Sequence, residues 1–308
     1  MTLIDKSSFI LSKGFGVLLI LAGPLFIAAP AAAQTPTTAD PTAVQTQTAA
    51  DPAAATQPAE ASDPDVRLDP LQPDFNLAEL PTALRLPRHK LAFRVTHRFT
   101  RPLGQGDFGD LLSDFFGFDT GAQIGLELRY GLARGTQVGI YRTSDRTIEL
   151  FGQHSFWQER DNKPIGLDVI ATFEGTDNLS DEKSPAVGAI VSKKVAKIAA
   201  LYAEPIVVFN TNALPSEEAD HNDTFILGLG GRLRLRPSMY VVGEYSPRLA
   251  GYDPGVGLIS FGLEGRAGGH LFQINFSNGI GTTLGQIARG AVDNNSWFIG
   301  FNISRKFF

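Results

Sequence analysis

The chain has 308 residues, a formal net charge of −5, 32 glycines, 22 phenylalanines and no cysteine. A weakly acidic balance of this size gives no basis for a general nucleic-acid binder. The lack of cysteine excludes disulfides, thiol catalysis, thiolate metal sites and an N-terminal lipid-anchored cysteine, and leaves the compartment open.

The first 33 residues read as an export signal. Lys6 and Lys13 make a positive start, "GFGVLLILAGPLFIAAPAAAQ" supplies an apolar stretch broken by Pro24, and Ala31 and Ala33 fit the −3 and −1 positions of a cleavage site before Gln34. The apolar core is shorter than the ~20 residues that a spanning helix requires. Residues 34–65 are almost entirely Ala, Thr, Pro, Gln and Asp, a composition that cannot bury enough apolar surface to offset ordering entropy, and a disordered linker is expected. Residues 66–90, "VRLDPLQPDFNLAELPTALRLPRHK", carry four prolines and scattered leucines, and read as extended chain leading into, or packed against, the domain at 91–308.

From Leu91 onward the period changes to two. "LAFRVTHRF" puts Leu91, Phe93, Val95, His97 and Phe99 on one face. "AQIGLELRY" sets Ala122, Ile124, Leu126, Leu128 and Tyr130 against Gln123, Gly125, Glu127 and Arg129, and "IGLDVIATF", "FILGLGGRLRL" and "GHLFQINFSN" repeat the pattern. Less tidy strands fall at 136–142, 147–156, 186–195, 201–210, 239–246 and 258–266, and the last runs from 297 to 307, which makes about twelve. Pro205 inside one of them removes a ladder donor, so a bulge is expected there.

Many alternating strands suit either a soluble sandwich or a barrel. The connections favour the barrel: most odd-to-even links are long and most even-to-odd links are short, the loop-and-turn alternation of a transmembrane antiparallel up-and-down barrel. The polar faces agree, since they hold Gly, Ser, Gln and Asn with Arg and Glu, while lysines such as Lys193, Lys194 and Lys197 cluster at turns. In a closed barrel the final strand pairs with the first, which leaves no edge. Trp297, Ile299, Phe301, Ile303 and Phe307 share one face of that strand, with Phe308 one residue out of phase. A terminal aromatic strand is the expected address for barrel-insertion machinery.

If the apolar faces meet lipid, then Glu127, Arg129, Glu149, Asp168, Glu204, Arg232, Arg234, Glu244, Glu264 and Arg266 turn into the lumen. Charges of both signs there form either an occluding network of ion pairs or the lining of a selective channel. Arg232 and Arg234 repel one another unless acids face them, and Glu244 on the next strand is the expected partner. "GDFGDLLSDFFGFD" reads as a short amphipathic helix in the first long loop, lying at the rim or membrane surface or folding into the lumen. The acidic run "SEEADHND", Ser216–Asp223, lacks the spacing and glycine of a calcium loop and reads as solvated. No catalytic set is expected: His154 and Ser155 are neighbours on a strand and face opposite ways. No cofactor, metal or nucleic acid is implied.

"LPTALRLPRHKLAFRVTHRF", "GAQIGLELRYGL", "GGRLRLRPSMYVVGEYSPRL", "GHLFQINFSNG" and "GFNISRKF" resemble, in order and over about Leu80–Phe308, a family of bacterial β-barrel proteins known only as a domain of unknown function. The resemblance implies export to the outer membrane of a Gram-negative bacterium and contact with its lipid. It supplies no solute, reaction or catalytic residue. Phe308 and the long leader depart from it. The functions consistent with these readings are a small channel with a charged, partly occluded lumen, a non-conducting adhesion or structural barrel acting through its loops, and, as the weakest, a barrel enzyme.

Overall fold

A computed structural model describes residues 65, 69–118, 121–212 and 222–308. The chain divides into units Met1–Gln57 and Pro58–Phe308, and all described residues belong to the second. The expected signal peptide, its cleavage site at Ala33/Gln34, the linker up to Pro64, and most of the acidic run, including His221, lie outside the described residues.

The strands are β1 (Leu91–Phe99), β2 (Ala122–Ala133), β3 (Thr136–Thr143), β4 (Ile148–Trp157), β5 (Gly166–Gly175), β6 (Asp181–Val195), β7 (Ala199–Val208), β8 (Thr224–Arg236), β9 (Met239–Ser246), β10 (Arg248–Ala250), β11 (Leu258–Ala267), β12 (His270–Ser277) and β13 (Phe298–Lys306). Each pairs antiparallel with its neighbours, β1 pairs with β13 through Val95 opposite Ile303, and β8 pairs with β9, so twelve strands close a barrel. β10 is an extra short strand that pairs with β8 above the end of β9. The course of the chain breaks at Pro247, which has no N–H for the ladder. Most strands approach or exceed the ~9–11 residues that a tilted transmembrane strand needs.

One end of the barrel, the turn end, carries both ends of the strand series and the tight turns at 134–135, 237–238 and 268–269. The other, the loop end, carries the connections 100–121, 209–223, 247–257 and 278–297. Among the odd-to-even links, which were expected to be mostly long, the one after β5 is short: it spans 176–180, an irregular turn, α2 (Thr176–Leu179), because β6 begins at Asp181. The expected bulge at Pro205 is absent. β6 and β7 keep one register on either side of it, from Gly188 opposite Ile206 to Val191 opposite Ala203, and the recorded pairing only lapses between them.

Alternation sorts the faces as the pleat requires. Leu126, Leu128, Leu229, Leu263 and Ile274 are exposed on the outer wall. On β6 to β9 the inner wall is apolar too, with Ile190, Ile206, Ile226 and Val242 essentially fully buried. Apolar residues on both faces blur the period of two, which explains why β6, β7 and β9 read as untidy.

Candidate functional site

The inner wall does not face an open lumen. Residues 69–87, expected to be extended chain leading into the domain or packed against it, form a U-shaped insert inside the barrel. The insert enters at the turn end, where Asp69 pairs with Lys194 and the Tyr240 hydroxyl donates to the Pro70 carbonyl at 3.0 Å. It turns back at mid-lumen, where the Leu77 N–H donates to Leu80 at 2.8 Å and the Thr82 N–H to Phe75 at 2.7 Å. It leaves at the turn end again, where Pro87 meets Gly131 so closely that a Cβ on that glycine would sit 2.1 Å from the Pro87 oxygen.

Local sequence explains why this segment is neither strand nor helix. Pro70, Pro73, Pro81 and Pro87 deny regular ladders, so its backbone groups must find side-chain partners once buried. They do. Gln273 donates to the Leu77 carbonyl at 3.0 Å, Asn302 and Arg94 to that of Ala78, Gln153 to that of Thr82 at 2.8 Å, and Gln137 to that of Leu84 at 3.1 Å. Glu244 accepts three consecutive backbone N–H groups, from Ala78, Glu79 and Leu80, at 2.9–3.1 Å.

The insert brings its own charges. Glu79 meets the Arg98 guanidinium at 2.6 Å, with neither side chain exposed. Asp74 accepts from the Ser304 hydroxyl at 2.7 Å and lies 3.4 Å from the Lys306 ammonium. Burial alone would raise the Asp74 carboxyl, but Lys306, the Ser304 hydroxyl, Arg232 and Arg94 together hold it below the usual carboxylate range. Leu77 and Leu80 face glycines of β8: a Cβ at Gly230 would stand 2.3 Å from a Leu77 methyl, and one at Gly228 3.0 Å from Leu80. Leu71, Leu77, Leu80 and Ala83 join Ile190, Ile206, Ile226 and Val242 in one apolar cluster inside the barrel. A second cluster, at the turn end, holds Phe75, Leu84, Leu86 and Ala92. Phe308, out of phase with the last strand, packs against it, whereas Phe307 faces outward.

The loop end is filled from above. The link between β12 and β13 folds inward as α3 (Leu284–Arg289), capped by Thr283 with Gln286 reaching back to it. Leu284, Ile287 and Ala288 are buried in the same cluster as the insert. The Leu284 N–H donates to Glu149 at 2.8 Å, the Gly285 N–H to Glu174 at 3.1 Å, and Arg289 lies 3.2 Å from Glu174. Between insert and helix remains a cavity of about 30 Å³, bordered by Glu79, Arg94, Glu127, Arg129, Tyr141 and Glu149. That is room for little more than a water molecule.

Of the ten lumen charges expected from the sequence, Glu127, Arg129, Glu149, Asp168, Glu204, Arg232, Glu244 and Glu264 are buried on the inner face, and Arg234 and Arg266 are half-buried near the turn end. Arg129 binds Glu127 at 2.8 Å, and Asp168 accepts from Gln153 at 2.7 Å. Both carboxylate oxygens of Glu204 lack a hydrogen-bond partner. Arg232 does not pair with Glu244 as expected; it makes a two-pronged contact with Glu264 at 2.6 and 2.9 Å, because Glu244 is taken by the insert. Arg94, Arg98, Glu174 and Lys306 were missed. Arg94 and Arg98 alternate with Leu91, Phe93 and Val95 within "LAFRVTHRF", and Glu174 is in phase with Asp168, so the signal was present. Once they are included, the inner wall carries both signs side by side: Arg94, Arg98, Arg129 and Lys306 on β1, β2 and β13 share that stretch with Glu127, and Arg232 on β8 lies between Glu204 on β7 and Glu244 on β9.

His154 points outward and shares a 2.8 Å hydrogen bond with Thr136, while Ser155 is buried on the opposite face. Among the described residues no group of three or more His, Cys, Asp or Glu side chains is placed to hold a metal. The first long loop forms α1 (Phe108–Ser113) with a 3-10 turn at Phe115–Gly117; Phe108, Leu112, Phe115 and Phe118 are exposed, and the Phe118 ring lies tilted against Phe99 with centroids 4.3 Å apart. This helix contributes nothing to the lumen.

No curated protein matches the chain. Among solved structures, it is similar to the COG4313 outer membrane channel from Pseudomonas putida F1, with 11% identity, a TM-score of 0.44, and coverage of 72% of this chain and 97% of that one. It is similar to the outer membrane channel DcaP of Acinetobacter baumannii, with 10% identity, a TM-score of 0.32, and coverage of 71% and 74%. A mutant of the Rh. blastica porin shares 14% identity at a TM-score of 0.31, over 60% of this chain, which spans 55% of that porin's length. The family model described as a membrane bound beta barrel domain (DUF5777) matches residues 74–307, a span that takes in most of the lumen insert as well as every strand, and the chain belongs to that family.

Proposed function

We propose that the protein is an outer-membrane barrel that rests closed and conducts small solutes only when the 69–87 insert withdraws. The turn end then faces the periplasm and the loop end the exterior, the arrangement usual for such barrels. The observation that carries this reading is the path of the insert: it enters and leaves at one end, so it can withdraw without being threaded through the barrel. Its backbone is held largely by side-chain amides, guanidinium groups and one carboxylate, which water can replace on withdrawal.

The test is planar-bilayer recording of the full chain. Wild type is expected to be silent with rare openings, and Asp74→Asn/Glu79→Gln, which removes the ion pairs that the insert makes with β1 and β13, is expected to open often. A second reading is a non-conducting barrel that acts through its loops. It is favoured by the near-complete filling of the lumen and by the exposed phenylalanines of the first loop. Silence of a correctly folded Asp74→Asn/Glu79→Gln chain would favour it.

A further inference from the structure

The tip of the insert, Leu77–Leu80, is held as a bound peptide would be. Its carbonyls at Leu77 and Ala78 accept from Gln273, Asn302 and Arg94. Its three N–H groups from Ala78 to Leu80 converge on the Glu244 carboxylate. Its one acidic side chain, Glu79, lies in the fork of Arg98, whose third nitrogen is fixed by Asn302 at 2.9 Å. Every wall residue in this set comes from a strand, so the cradle does not depend on the insert for its geometry.

We propose that this cradle is the solute site of the lumen, that the tip is its resident occupant, and that the solute replacing it is a short peptide-like molecule with an acidic side chain. The inference rests on the withdrawal reading above and names the solute class for it. The chemistry follows from the pairing rules of buried groups. Arg98 without an acid, and Glu244 without N–H donors, would each be a desolvated charge, and a site of that kind rejects ligands that leave its polar groups unpaired. A neutral sugar offers no charge to either residue. A simple anion such as phosphate satisfies Arg98 but is repelled by Glu244. A cationic peptide satisfies Glu244 but has nothing except its terminal carboxylate for Arg98. An acidic dipeptide supplies a side-chain carboxylate for the fork, N–H donors for Glu244, and a carbonyl for Asn302 and Gln273.

The experiment uses the full chain with the insert loosened in two independent ways, Asp74→Asn/Glu79→Gln and Leu77→Ser/Leu80→Ser, each checked for heat-modifiable migration on gels to establish folding. Alanyl-glutamate, alanyl-lysine and glucose are added to open channels in planar bilayers. Alanyl-glutamate is expected to interrupt the current at concentrations at which the other two do not, and adding Arg98→Gln to either loosened background is expected to abolish the interruption. Channels that open but are blocked equally by all three probes, or by none, would overturn the solute class and leave withdrawal standing. If neither loosened variant conducts although folded, withdrawal fails and the solute site fails with it.

Discussion

Arg98 on β1 and Glu79 at the tip of the insert form an ion pair at 2.6 Å in which both side chains are fully buried. Such a pair is a weak source of net stability, because both charges have left water, but it is costly to break from one side. Glu79→Ala should therefore lower stability by about 3–5 kcal/mol through the uncompensated guanidinium. The double change Glu79→Met/Arg98→Met should recover most of that loss. Thermal unfolding in detergent, followed by heat-modifiable migration, measures both.

Gly230 and Gly231 are neighbours on β8 with opposite environments. A Cβ at Gly230 would lie 2.3 Å from Leu77, whereas one at Gly231 would lie 3.1 Å from Leu201 on the outer wall. Gly230→Ala should destabilise by about 1–3 kcal/mol through overpacking and raise the frequency of channel opening, with Gly231→Ala close to wild type. Gly228→Ser, beside Leu80, should fall between them. Unfolding midpoints and bilayer recordings on the three variants give the ranking.

Leu229 is 42% exposed on the outer wall between two inward glycines. Leu229→Arg should cost about 2–4 kcal/mol if the residue lies near the bilayer midplane. The folded, membrane-inserted fraction after expression, compared with that of Leu229→Phe, is the measurement; equal yields would contradict a lipid-facing position.

Asp74 links the insert to β13. Its folded-state carboxyl is held below the ordinary value, so the stability that it contributes is present above the unfolded value of about 4 and is lost as pH falls further. Unfolding midpoints of wild type should decline as pH is lowered through that range. Asp74→Asn should show a shallower decline and a lower midpoint at neutral pH. Identical slopes would mean that the contact with Lys306 does not govern this step.

The proposed orientation has its own check. A peptide tag inserted after Leu214 should be accessible on intact cells, and the same tag within Arg236–Ser238 should be accessible only after the outer membrane is breached. The reverse labelling pattern would invert the assignment of the two ends.

The strands and their faces were legible from the sequence because each is a local consequence of the pleat. Leu126 and Leu128 against Glu127 and Arg129 state the inside and outside of β2 without reference to any other residue. The closure of β1 on β13 follows from an even strand count and the need to bury every backbone group in a membrane. Where both walls of a strand are apolar, as at Ile190 on β6 and Ile206 on β7, the period fades, because the inner face packs on the insert while the outer face is apolar as well. The lumen itself was decided only by the tertiary structure. "LDPLQPDFNLAELPTALRLP" has no period, since its backbone is satisfied by side chains far away in the sequence: the Ala78 carbonyl meets Asn302 across 224 positions, and the Ala78 N–H meets Glu244 across 166. For the same reason Arg232 was assigned to Glu244 from hairpin proximity, when the insert claims that carboxylate and leaves Glu264 to bind Arg232. Sequence alternation says which way a charged side chain points; which partner it finds depends on what occupies the lumen.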